Sequence, residues 1–164
     1  MSKPSVQSPA NINRARGAAR LGAVQALYQQ AMTGDTVPRL LTEFHHHRLG
    51  ETPDGAPAGV EMADADVAFF DDLVMGAVAR AEELDALVSG ALAEGWTLAR
   101  LDRPMQALLR LAAYELVARA DVSAATVIEA YVGVAQAFHD DKQAKFVNGL
   151  LDTLARRVRG QMGG

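Results

Sequence analysis

Apolar residues recur along this chain at intervals of three and four, and nowhere do they alternate with period two over the length of a strand. Leu21, Val24, Leu27, Tyr28, Ala31 and Met32 form a first helical stripe, with Asn13 placed to cap its start and Gly34 its end. Thr36 followed by Pro38 marks a second start, ahead of Leu40, Leu41 and Phe44. Asp64 or Asp66 opens the most regular stripe, carried by Val67, Phe70, Leu73, Val74, Ala77 and Val78. Leu84, Leu87, Val88 and Leu92 follow as far as Gly95, and the pattern leaves open whether the chain runs straight or kinks near Arg80. A short turn from Thr97 to Leu101 precedes Asp102 and Arg103-Pro104, a helix start whose buried face is Met105, Leu108, Leu109, Ala112 and Leu116. Ser123 caps a further helix built on Val127, Ile128, Tyr131, Val134, Ala135 and Phe138, and the last runs from about Lys142 to Arg159 on Val147, Leu150, Leu151, Leu154 and Val158. The expected fold class is all-α, with six or seven helices in one domain spanning 14–159. Residues 1–13 are expected to be a disordered tail, 160–164 a second short tail, and the Gly-, Pro- and Ala-rich stretch 49–63 a mobile surface loop.

Composition agrees with closely packed helices: 49% of the residues are hydrophobic but only 5% aromatic, so the core is built from Ala, Leu and Val. With no cysteine there is no disulfide, thiolate metal site or cysteine nucleophile. No apolar run is long enough for a signal-peptide core or a membrane span, and a cytoplasmic location is expected. The net charge of −4 conceals a segregation: residues 1–34 carry +4, residues 142–164 carry +4, and the segment between carries −12. Basic ends suit phosphate, and an acidic middle suits a basic protein; solvated basic tails are the plainer reading.

Arg14, Arg16 and Arg20 open the first helix, and Tyr28 follows two turns later; Lys142, Lys145 and Phe146 open the last. Cations that hold a phosphate track beside an aromatic face that stacks a base are what single-stranded RNA requires. On residue types alone, plain core packing is the favoured reading of Tyr28 and Phe146. His45-His46-His47 cannot all face one ion on a helix, and the Glu43/His46 spacing has no second Glu-x-x-His partner, so this stretch reads as solvated polar surface and no metal is expected. Asp71-Asp72, Glu82-Glu83 and Asp140-Asp141 read as solvated faces or caps. No phosphate-binding loop, dinucleotide fingerprint, nucleophile elbow or zinc-protease motif occurs, so neither catalysis nor a cofactor is expected.

Three stretches resemble the NusB family of transcription antitermination factors, in the family's order. These are AVQALYQ at Ala23–Gln29 behind the arginine-rich opening, LDRPMQALLRLAAYEL at Leu101–Leu116, and TVIEAYVGVAQAF at Thr126–Phe138 leading into KFVNGLLD at Lys145–Asp152. The resemblance implies two small helical bundles in one compact domain and a non-enzymatic bacterial adaptor. Such an adaptor binds the boxA element of nascent ribosomal RNA together with NusE, a small-subunit ribosomal protein, within the RNA polymerase antitermination complex. Carried onto matching positions, it assigns Arg16, Arg20, Tyr28, Lys145, Phe146 and Asn148 to RNA, with Arg14 and Lys142 assisting. It assigns Asp102, Met105, Gln106 and Glu115 to the protein partner. The opening turns of the first and last helices are then expected to lie side by side as one cationic platform.

The chain departs from the family pattern at Gly17, Ala18 and Ala19, where arginines are common, and at Pro104-Met105-Gln106, which is less charged than usual. It departs also in a longer 45–63 connection and at Lys142, where a smaller or acidic residue is frequent. Two other readings stand beside this one: the RNA-binding appendage of a ribosomal RNA cytosine methyltransferase, and a self-associating helical structural protein. Homodimerisation is compatible with either function.

Overall fold

The computed structural model describes residues 9–46 and 64–160, with side chains described for 15–46 and 67–160. Seven α-helices account for most of these residues: α1 (Pro9–Thr33), α2 (Val37–Phe44), α3 (Asp64–Ala79), α4 (Ala81–Ala91), α5 (Arg103–Ala118), α6 (Ala124–Phe138) and α7 (Asp141–Arg159). A 3-10 turn at Leu98–Arg100 precedes α5, and there is no strand among the described residues. The expected loop at 49–63 lies outside the described residues, as do His47, residues 1–8 and residues 161–164.

The helix boundaries follow from local chemistry. Thr36, Asp102, Ser123 and Asp140 each sit in extended backbone and accept a hydrogen bond from the amide three residues on, satisfying a donor that the first helical turn leaves unpaired. Gly34 stops α1 with a φ of 75°, which a side chain resists. Two boundaries differ from the sequence reading, and one that it left open is resolved. Helix α1 begins at Pro9, so Asn13 lies within it and does not cap its start. At Arg80 the backbone leaves helical geometry (φ −111°, ψ 23°) and separates α3 from α4, while the Arg80 guanidinium grips Glu83. Helix α4 stops at Ala91, short of Gly95, because Leu92 turns extended; Gly95, with φ 92°, forms the loop turn instead.

Helix α5 is the axis of the molecule. It is buried at Met105, at Ala107–Leu109 and at every position from Leu111 to Leu116, because it packs against α1 and α3 on one side and α4, α6 and α7 on the other. The two groups of helices meet on it, as the two-bundle expectation requires. Gly76 of α3 permits part of this approach, since a Cβ there would lie 2.2 Å from the Tyr114 ring.

Polar contacts fix the helix directions. Arg103 at the start of α5 donates to the carbonyl of Ala31 at the end of α1, and His139 at the end of α6 bonds Asp102. At the other extreme, Arg16 near the start of α1 faces Asp121 just beyond α5, and Arg159 at the end of α7 binds the last carbonyls of α5. Helices α5 and α7 are therefore parallel, and α1 and α6 run against them. The opening turn of α7 lies beside the end of α1, not its beginning. The two opening turns stand apart by nearly the length of α7, about 28 Å at 1.5 Å per residue. The side-by-side platform expected from the sequence is not present.

Candidate nucleic-acid interface

The end that carries the start of α1 is a cluster of guanidinium groups around one ring. Phe69 of α3 is buried, and Arg16, Arg20 and Arg119 lie 4.5, 5.1 and 4.9 Å from its centroid. Arg16 remains partly exposed, 3.8 Å from Asp121, and is the one described arginine of the α1 opening that can reach a ligand. The side chain of Arg14 lies outside the described residues. Arg119 is held by both Asp121 and Asp72, and these hydrogen bonds raise its pKa above the ordinary arginine value despite its partial burial. Arg119 in turn keeps the Asp121 carboxyl below the usual range.

Arg20 does not belong to a surface. Only 2% of it is exposed, and it makes a bidentate pair with the fully buried Glu115, at 2.7 and 3.0 Å. Tyr131 donates to the same carboxylate at 2.6 Å, so one closed network joins α1, α5 and α6. Burial alone would lower the Arg20 pKa, but the Glu115 hydrogen bond and charge outweigh it and the net direction is upward. Burial followed by the Glu115 charge drives Tyr131 well above a free phenol. The assignments of Arg20 to RNA and of Glu115 to a protein partner are corrected here: each is consumed by the other inside the core. Met105 is likewise buried, a core residue of α5 rather than a partner contact. Asp102 is exposed but caps α5 and bonds His139, while the half-buried Gln106 donates to the Leu101 carbonyl at 2.7 Å.

The opposite end gathers the aromatic candidates. Tyr28 is 40% exposed on α1 and lines an apolar groove with Met32, Phe44, Pro104 and Phe138. On α7, Lys142, Lys145 and Asn148 are exposed; Lys145 and Asn148 edge a cleft against α6 that also contains Glu129 and Gln136. Phe146 is half-buried and turns toward Trp96, with ring centroids 6.2 Å apart. The sequence reading missed Trp96, which lies off every helical stripe, and Phe69 with Arg119, whose association is visible only in the fold. At the end of α2, His45 is more than solvated polar surface, since it bonds Asp71 of α3 at 2.7 Å. Among the described residues no three His, Asp or Glu converge as metal ligands would. No described helix is long and apolar enough to cross a membrane.

The model of the NusB family matches residues 17–156, nearly the whole of the structure laid out above. The chain belongs to the NusB family. The transcription antitermination protein NusB of Novosphingobium aromaticivorans is 57% identical over 146 residues, covering 89% of this chain and 96% of that protein. The NusB protein of Sphingopyxis alaskensis is 53% identical, covering 89% and 95%. Among solved structures, T. maritima NusB superposes with a TM-score of 0.73 at 26% identity, over 92% of this chain and 93% of that one. A structure described as antitermination factors NusB and NusE in complex with dsRNA gives 0.72 at 26% identity, over 88% and 98%. NusB relatives thus share both the sequence and the seven-helix architecture of this chain.

Proposed function

We propose that this NusB-family chain is a non-catalytic transcription antitermination factor that binds boxA of nascent ribosomal RNA together with NusE and supports processive transcription by RNA polymerase. The observation that carries the reading is the opening of α7, where exposed Lys142, Lys145 and Asn148 surround a half-buried Phe146 within the KFVNG run. Relatives named as antitermination proteins, and a related NusB solved with NusE and dsRNA, support it. They also weaken the methyltransferase-appendage reading. The RNA-contacting set is Arg16, Tyr28, Lys142, Lys145, Phe146 and Asn148. Since Arg16 lies far from the others, the RNA is an extended strand running along the molecule. With Met105 and Glu115 in the core, the basic partner is assigned to exposed acidic surface such as Glu82 and Glu83 on α4, together with Asp102.

Filter binding of single-stranded boxA RNA, a scrambled strand and a duplex, each with and without NusE, tests this reading. Tighter, salt-sensitive binding of boxA in the presence of NusE is expected. Equal, salt-insensitive binding of all three rejects it, and preference for the duplex replaces the single-stranded ligand with a double-stranded one. Exposed Tyr28, Met32 and Phe138 around one groove favour self-association as a second property, read by light scattering with and without RNA.

A further inference from the structure

We propose that Trp96, together with Arg100, forms a second base-stacking position next to Phe146, so that the α4–α5 loop and the start of α7 hold two successive unpaired nucleotides. The inference rests on the RNA-binding reading above and extends it to residues that reading does not include.

Trp96 is the only tryptophan in the chain and is 51% exposed. A ring of this size left in water forgoes a large burial term, yet here the loop holds it out instead of folding it in. Gly95 turns the backbone at φ 92°, and the Trp96 amide closes on the Ala93 carbonyl at 3.0 Å. Arg100 donates to the Gly95 carbonyl at 3.1 Å, which places its guanidinium 5.6 Å from the indole. The ring is thus positioned before any ligand arrives, which lowers the ordering cost of binding.

Its neighbour decides the ligand class. The Phe146 ring lies 6.2 Å away at an interplanar angle of 44°. Parallel rings sandwich one base; rings tilted this far present adjoining faces, one for each of two consecutive bases. Cations border that surface, with Arg100 on the loop side and Lys142 one helical turn before Phe146 on the same face of α7. The carboxylates nearest in sequence are Asp102 beside Arg100, which bonds His139 and caps α5, Glu94 beside Trp96 and Asp141 beside Lys142; no ion pair joins any of them to Arg100 or Lys142 among the described residues. Aromatic faces edged by Arg and Lys suit a nucleobase and its phosphate and disfavour a basic protein.

The full-length chain with 5-fluorotryptophan at its single tryptophan, mixed with unlabelled NusE and boxA RNA, provides the test. Fluorine NMR reads Trp96, and anisotropy of a dye-labelled RNA independently reads binding. The Trp96 resonance is expected to move on RNA addition with the anisotropy midpoint. Trp96→Ala is expected to weaken RNA binding about 5- to 150-fold, with Trp96→Phe restoring most of it; melting curves check that both variants fold. RNA binding with a stationary Trp96 resonance and an unaffected Trp96→Ala overturns the inference and leaves the RNA reading standing. So does a resonance that moves with NusE alone while Trp96→Ala binds RNA normally, which makes Trp96 a protein contact. No anisotropy change under any condition removes the RNA reading and this inference together.

Discussion

Arg20 shows how a single side chain can be misread from its charge. It stands one helical turn before Val24, on the face that also buries Ala19, Ala23 and Leu27, so its spacing places it in the core while its guanidinium suggests solvent. The conflict is resolved by Glu115, 95 residues away, and no local pattern announces a partner at that separation. Arg20→Ala leaves a buried carboxylate unpaired and is expected to lower the unfolding free energy by about 3–5 kcal/mol in urea titrations. Replacing Arg20, Glu115 and Tyr131 together by Met, Leu and Phe is expected to cost far less, because no charge or hydroxyl is then stranded. Tyr114 offers a pH test. Burial first, and then the hydrogen bond to Asp72, push its phenol up to about 12. The folded state holds this proton more tightly than the unfolded one, so the contribution is complete below the ordinary value of 10.0 and is lost as pH rises through about 12. The 295 nm difference between the wild type and Tyr114→Phe is expected to show ionisation near the higher value. At the proposed RNA surface, Phe146→Ala is expected to cost about 1–3 kcal/mol of boxA affinity in filter binding, the worth of one stacked base.

At the scale of elements the sequence is nearly transparent. Thr36, Asp102 and Ser123 cap where their side chains and spacing place them, and the apolar stripes of α3, α5 and α7, with that of α6 as far as Ala135, face the core, while Phe138 at the end of α6 is left exposed. These features depend on neighbours within one or two turns. The end of α4 depends on more, since Leu92 leaves the helix in favour of the loop that holds Trp96, and no residue before Gly95 marks the departure. Helix ends also draw on distant chain. Arg159 donates to the carbonyls of Glu115, Leu116, Arg119 and Val122, so the last turn of α7 caps the C-terminus of α5 and meets its negative pole with a positive charge. Arg159→Ala is expected to cost about 2–3 kcal/mol in thermal or urea unfolding, and Arg159→Lys to recover only part of it, because an ammonium cannot fork across several carbonyls.

For the whole molecule, helix count and family were readable in the residues, but direction was not. Nothing in the basic clusters at the two ends of the chain states that α1 and α7 run opposite ways, and the contacts that establish it, Arg16 with Asp121 and Arg103 with Ala31, join segments far apart in sequence. That geometry gives a length test. An oligonucleotide short enough to cover only the Phe146 end is expected to bind Arg16→Ala and wild type alike. A longer boxA-containing strand is expected to lose affinity with that substitution, and its salt slope to flatten by about 0.7. Equal sensitivity at both lengths would show that the two ends are not bridged by one strand.

The placement of α5 between the two helix groups bears on how the chain is made. Synthesis delivers α1 to α4 first, and although α1 and α3 pack directly on each other, until residues 103–118 leave the ribosome the faces they turn toward α5 have nothing to close against. The nascent protein therefore carries its greasy flanks uncovered for most of its translation, a period in which a chaperone has more to hold than at any later time.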